Sequence, residues 1–308
     1  MSTSPFEILS HDAHEQWYDL QYPNQEIRLK ALESWKKGIE NQNIGFWLQT
    51  RMWNLTDPFI KKSQTWLTVG DGYGLDGHYI QSKGAKICSS DISDTFLSLA
   101  KENGFIDRFS IENAEKLSFE DNSFDYVLCK ESYHHFPRPY LGVYEMLRVA
   151  QKGIILIEPN DPISQMPFLL GMVNILDKWN TNLAEKFWKN RFSFESVGNY
   201  VFKLSLRECE KIAMGLNLPA LAYKGINNSY YQTESGEELA DKNSKSLKKI
   251  KRKIRLANFL SKTSLLPYQL LSVAIFKEMP GQDEIETLKK AGYSFRIFPK
   301  NPYLKNSK

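Results

Sequence analysis

The chain has 308 residues, 42% of them hydrophobic and 25% charged, which is enough apolar content to bury a core and too much for a disordered polymer. Its net charge of +4 is uneven: residues 242–255 hold eight Lys and Arg and no acid, leaving −4 on the remainder, which argues against a nucleic-acid-binding class. Cys88, Cys129 and Cys209 are too scattered for a CxxC pair or a structural zinc site, so no metal is expected, and no apolar run approaches the roughly 20 residues of a membrane span.

Residues 1–12 lack a basic start and an apolar stretch, so the expected location is the cytoplasm. Residues 1–62 read as a helical N-terminal cap, with Leu29, Leu32, Trp35 and Ile39 at helical spacing. From Thr65 onward short apolar strands alternate with helices: strands are expected at 66–69, 85–89, 124–129 and 153–157, and helices near 93–102 and 138–149. This alternation predicts an α/β domain over 63–308 with a mostly parallel sheet and helices on both faces. Two insertions interrupt it, at 161–200 and 232–266. The first carries Met, Phe, Leu and Trp at helical spacing and suits a lid or a core extension equally well. Between them the spacing predicts a strand at 200–204, a helix at 206–215 and a strand at 218–223. The second insertion contains a helix over 236–260, with Leu247, Ile250 and Ile254 on one stripe and lysines and arginines elsewhere. A solvated helix explains it best; weak peripheral contact with an anionic membrane is the alternative. A strand at 268–277 and a helix at 282–291 close the chain.

Trp66-Leu67-Thr68-Val69-Gly70-Asp71-Gly72-Tyr73-Gly74 runs from a strand through glycines towards a helix, a turn at which backbone can approach a ligand closely. Asp91 follows the next strand, where a carboxylate can accept both hydroxyls of an adenosine ribose; a turn or capping role is the alternative. Gly72 to Gly77 satisfies G-x-G-x-x-G, yet the strand ends at Gly70, and from there Leu75 falls where a dinucleotide site needs its third glycine.

These motifs, with Asn113-Ala114-Glu115 and the strand Phe124-Asp125-Tyr126-Val127, resemble the class I S-adenosylmethionine-dependent methyltransferases over roughly residues 64–160. The likeness extends to members acting on sugars, including those encoded with bacterial surface-polysaccharide genes. It implies a Rossmann-like, seven-stranded sheet and S-adenosyl-L-methionine as cofactor. Gly70, Asp71, Gly72 and Gly74 would cradle it, Asp91 and Ile92 would hold its ribose, Asn113 and the Ala114 backbone its adenine, and Cys129 and Lys130 its methionine portion. Thr68 stands where the family usually carries an acid, so Asp71 or Glu131 must balance the cofactor's ammonium.

Beyond the fourth strand come His134 and His135, and after the fifth Glu158 and Asp161, all at the sheet edge where α/β proteins bind ligands. A histidine can serve as general base for a hydroxyl acceptor, oriented by Glu158; the two acids suit turns and caps equally well. In an extended segment only one of the two histidines would face the acceptor. The expected activity is O-methylation of a small-molecule or glycan-type acceptor; N-methylation at the same site and cofactor binding without catalysis are the alternatives. Trp17, Trp47, Trp53, Phe168, Trp179, Trp188 and Tyr200 could line the acceptor pocket or simply pack.

Overall fold

A computed structural model describes residues 12–13, 16–162, 165–187, 193–194, 199–228 and 236–303. Eight strands form one sheet: β1 (Thr65–Val69), β2 (Lys86–Asp91), β3 (Phe109–Ile111), β4 (Phe124–Lys130), β5 (Ala150–Pro159), β6 (Ala220–Ile226), β7 (Leu270–Phe276) and β8 (Ser294–Ile297). Their order is β3-β2-β1-β4-β5-β7-β6-β8. The pairs from β3 to β5 are parallel, and β7 enters antiparallel between β5 and β6. The mostly parallel, Rossmann-like sheet expected from the alternation is present, with eight strands in place of seven. β3 and β8 are additions to the expected strands, β8 an edge strand pairing antiparallel with β6, while the strand expected at 200–204 is absent.

The central strands are apolar runs because both faces are covered. Leu67, Val127, Ile154 and Val273 point into a core shared with Val143 and Met146 of helix Pro139–Val149 and with Cys209 of helix Leu206–Gly215. On the other face Trp66, Tyr126, Ile155 and Ala274 meet Met52, Phe59, Ile80 and Leu288. Packing on the two faces leaves the carboxyl ends of β1, β4 and β5 as the open edge.

The aromatic N-terminal region folds as helices Gln25–Asn41 and Ile44–Trp53, capped by Asn24 and Asn43, whose side chains accept the amides of Ile27 and Phe46. The basic helix is Lys245–Lys262, starting where Ser244 accepts the Leu247 amide. The first insertion contains helices Pro167–Trp179 and Thr181–Phe187; Trp188 lies outside the described residues.

Residues 200–204 do not form the expected strand. Val201, Phe202 and Leu204 donate their amides to three different segments, at Ser193, His134 and Pro159, so no ladder develops. The apolar residues mark burial of a connection: Leu204 is 2% exposed and Phe202 packs on the core.

Candidate active site

The turn after β1 supplies the floor of a cleft of about 640 Å³. That volume falls in the ~300–1,000 Å³ range of small-molecule pockets. Gly70 has φ +74°, and a Cβ there would sit 1.8 Å from Ser132 Oγ, so the residue must be glycine for β1 and the loop after β4 to meet. At Gly72 a Cβ would fall 2.2 Å from the Tyr18 hydroxyl and 3.2 Å from Asp91 Oδ2. Gly74 starts helix Leu75–Ser82 in the left-handed conformation.

Gly70, Asp71, Gly72, Asp91 and Lys130 wall the main cleft together with His135. Ile92, Asn113 and Ala114 border a smaller recess that shares Gly70, Asp91 and His135 with it. The sequence-predicted cofactor residues thus converge, apart from Gly74, which shapes the turn, and Cys129. The Cys129 side chain is buried in the core with its thiol 3.8 Å from Glu158, so only its backbone can address a ligand. Asn113 Oδ1 accepts the Glu115 amide, which sets the loop beside the recess.

Asp91 has the turn role that the sequence allowed, and it also faces the cleft. Its Oδ1 accepts the Ser93 amide, while the carboxylate also borders the cleft. Desolvation pushes it up to about 6, against the pull of the Ser93 and Ile92 amides and of His135.

Thr68 donates to Asp71 Oδ2 at 2.9 Å, so a carboxylate stands next to the position where Thr68 replaces an acid. Asp71 also accepts the amides of Asp76 and Gly77 and the Ser89 hydroxyl. Burial and the neighbouring Asp76 raise its pKa.

Asp76 and Gln49 were not legible as site residues, and they join Trp53, one of the candidate aromatics. Trp53 Nε1 donates to Asp76 Oδ1 at 2.7 Å, and Lys130 Nζ lies 3.3 Å from Asp76 and 3.3 Å from Gln49 Oε1. Burial pulls the Lys130 pKa down, but Asp76 and Glu131 outweigh it and hold the ammonium charged. Glu131, 3.6 Å from Lys130, sits at φ +52°, a left-handed conformation unusual for this side chain. No local sequence signal joins helix Ile44–Trp53 to β4; only the three-dimensional packing does.

Residues 133–135 form a 3₁₀ turn and not an extended segment. The two rings pack against each other, with centroids 4.1 Å apart, yet they face different surroundings. His134 Nδ1 bonds Glu158 Oε2 at 2.6 Å beneath the cleft, whereas His135 borders both cavities. Glu158 is 0% exposed and also accepts the Ser132 and Tyr133 amides, so it cannot touch an acceptor and acts only through the loop it holds. Asp161 donates its amide to Leu204 and does not line the cleft.

Of the candidate aromatics, Trp17 and Trp53 border the cleft. Trp47 lies under Arg51 and Lys251, Tyr200 packs edge-on against Phe202, and Phe168 and Trp179 face outward at 93% and 87% exposure.

Residues 67–157 match the model of the methyltransferase domain family. Over 151 residues, 46% of this chain, it is 27% identical to phosphoethanolamine N-methyltransferase 2 of Caenorhabditis elegans, covering 32% of that protein. A demethylmenaquinone methyltransferase of Chlorobaculum parvum is 29% identical over 44% of this chain and 57% of its own length. The chain therefore spans between a third and three fifths of the curated relatives it matches. A SAM-dependent methyltransferase structure from Archaeoglobus fulgidus superposes with TM-score 0.48 at 12% identity, covering 79% of this chain and 99% of that one.

Proposed function

We propose that the chain is an enzyme transferring a methyl group from S-adenosylmethionine to a hydroxyl of a small, glycan-type acceptor, a reading supported by the similarity of residues 67–157 to the methyltransferase domain family. The observation that carries this reading is the placement of His135 in the cleft wall, on the loop that the buried His134–Glu158 pair supports.

The residues fit the cofactor: a glycine turn at Gly70 and Gly72 lining the cleft, a carboxylate at Asp91 for a ribose, and the recess at Ile92, Asn113 and Ala114 for a base. Glu131 in the cleft wall supplies negative charge for an ammonium group. When bound, S-adenosylmethionine supplies an electrophilic methyl for direct displacement, which requires an aligned nucleophile. This chain's residues provide the alignment and the base. An aliphatic hydroxyl hardly ionises at neutral pH, and an imidazole with an ordinary pKa of about 6.5 can take its proton as the bond forms. Lys130, held charged by Asp76 and Glu131, orients by charge and cannot act as base.

An amine acceptor is the second reading, favoured by Asp76 and Glu131 beside the cleft and by the N-methyltransferase among the relatives. Isothermal titration with S-adenosylhomocysteine and NAD, followed by methyl transfer to matched panels of sugars, phenols and amines, tests the assignment. Hydroxyl acceptors should be methylated, and His135→Ala should lose that activity. Turnover restricted to amines would overturn O-methylation, and tight cofactor binding without turnover on any panel would reduce the chain to a binding protein.

A further inference from the structure

Helix Lys245–Lys262 buries Leu247, Ile250 and Ile254 against Ile44 and Leu48. At about 100° per residue, Lys248, Arg252, Arg255, Leu256 and Phe259 then lie on its opposite side. All five are exposed. Leu256 and Phe259 reach 61% and 63%, and the chain runs on into Leu265 and Leu266, exposed by 65% and 48%. The helix has eight Lys and Arg and no acid. A solvated helix accounts for the charges and not for four large apolar side chains clustered at their end.

The topology brings this patch to the edge where the cleft opens. Leu270 pairs with Pro159 and the Asn160 amide bonds Gln269, so residues 263–269 enter β7 beside the carboxyl end of β5. The insertion after β5 leaves from the same edge, and its helix Pro167–Trp179 exposes Phe168, Ile175 and Trp179. Helix Ile44–Trp53 links the two regions: Leu48 touches the basic helix, while Gln49 and Trp53 wall the cleft.

We propose that this face docks on an anionic lipid membrane. Leu256, Phe259 and Leu265 enter the interfacial zone while Lys248, Arg252 and Arg255 engage lipid phosphates. Uncompensated positive charge selects a polyanionic partner over an ordinary protein surface. The apolar side chains beside it select a bilayer over a nucleic-acid backbone, whose binding is carried by phosphate contacts. The inference does not depend on methyl transfer.

The test is co-sedimentation of the full chain with phosphatidylcholine vesicles with and without phosphatidylglycerol. Association is expected with the anionic vesicles only, weakening as salt screens the charges. The triple variant Lys248→Gln, Arg252→Gln, Arg255→Gln should lower the partition coefficient on the order of a hundredfold. The pair Leu256→Ser, Phe259→Ser should lower it at least about tenfold. These side chains are exposed, so the fold should persist, as circular dichroism will verify. The proposal fails if the anionic vesicles do not bind at low salt, or if the apolar pair changes nothing while the charge variant abolishes binding, the signature of a generic polyanion site. It also fails if the protein is a dimer in sedimentation and Phe259→Ser dissociates it, since a second copy then covers the face.

Discussion

His134 Nδ1 stands 2.6 Å from Glu158 Oε2, joining the turn after β4 to the end of β5 beneath the cleft floor. The same carboxylate accepts the amides of Ser132 and Tyr133, and the Asn199 side chain donates to the His135 carbonyl. One buried acid therefore fixes the backbone that carries His135 to the cleft. The two adjacent histidines differ in their surroundings: His134 holds the turn, while His135 borders the cleft.

The division predicts opposite phenotypes. His135→Ala should lose about 100-fold or more in kcat with cofactor affinity kept, the scale of a missing general base. His134→Ala should instead lower stability by about 2–4 kcal/mol, since Glu158 loses a partner where no water replaces it. Denaturant melts and steady-state kinetics on both variants check this. Equal turnover for His135→Ala and wild type on a hydroxyl acceptor would remove histidine from the chemistry.

Gly72→Val and Asp91→Ala should each weaken S-adenosylhomocysteine binding, by about tenfold or more, while leaving the melting temperature close to wild type. The valine would project into the space between Tyr18 and Asp91. The alanine would remove the hydroxyl acceptor, worth roughly 1.5–3 kcal/mol for a charged hydrogen bond. Isothermal titration measures both, and wild-type affinity in the two variants would place the cofactor elsewhere.

Asp91 and Asp71 also predict a pH signature. Both are raised in the folded state by burial, Asp91 to about 6. Their contribution to stability is thus fully present below the unfolded carboxylate value of about 3.9 and is lost as pH rises through the folded values. Asp125 and Glu145 are lowered by hydrogen bonds and ion pairs with Lys152 and Arg148, so they act in the opposite sense at the acid end, below about pH 4.5. Between about pH 4.5 and 7 the ligand-free protein should become less stable as pH rises, and Asp91→Asn should flatten that slope. Cofactor affinity should move the other way, falling as pH drops through about 6, because the ionised carboxylate is the better acceptor. Melting curves and titrations at pH 5, 6 and 7 follow both trends.

The parts of this site that were legible in the sequence are those whose geometry is local. Gly70, Gly72 and Asp91 sit at strand ends that an apolar run announces, and the pair His134-His135 follows the next such end. What was not legible arises from chain segments far apart. Gln49 reaches Lys130 and Asp76 receives the Trp53 indole across the fold, and although Trp53 is a candidate aromatic, nothing in the sequence marks these pairings. The 3₁₀ turn at 133–135 replaced the expected extension because Glu158, more than twenty residues later, gathers its amides. The false strand at 200–204 and the unexpected β8 show one limit from two sides: buried connections can be as apolar as strands, and exposed edge strands need not be.

Tyr18 is the clearest of the residues found only in three dimensions. Its hydroxyl lies over Gly72, and its ring packs edge-on against Tyr73 and Phe96. The short helical stretch 16–21 is tied back by Arg28, which bonds the Asp19 carboxylate and the Tyr22 carbonyl. Tyr18 borders the 640 Å³ cleft while leaving that space open, so the side chain need not leave for a ligand to enter. Burial and the nearby Asp91 raise the phenol's pKa, which keeps the hydroxyl neutral and able to donate. The expected consequence is a wall that closes on the bound cofactor. Tyr18→Ala should then raise the dissociation constant for S-adenosylhomocysteine about tenfold, chiefly through a faster off-rate, since most affinity differences within one site lie there. Tyr18→Phe, which keeps the ring and loses one hydrogen bond worth about 1 kcal/mol, should fall in between. Stopped-flow dissociation resolves the three proteins. Tighter binding in Tyr18→Ala would reverse the assignment, making the N-terminal stretch an obstacle that the cofactor must displace.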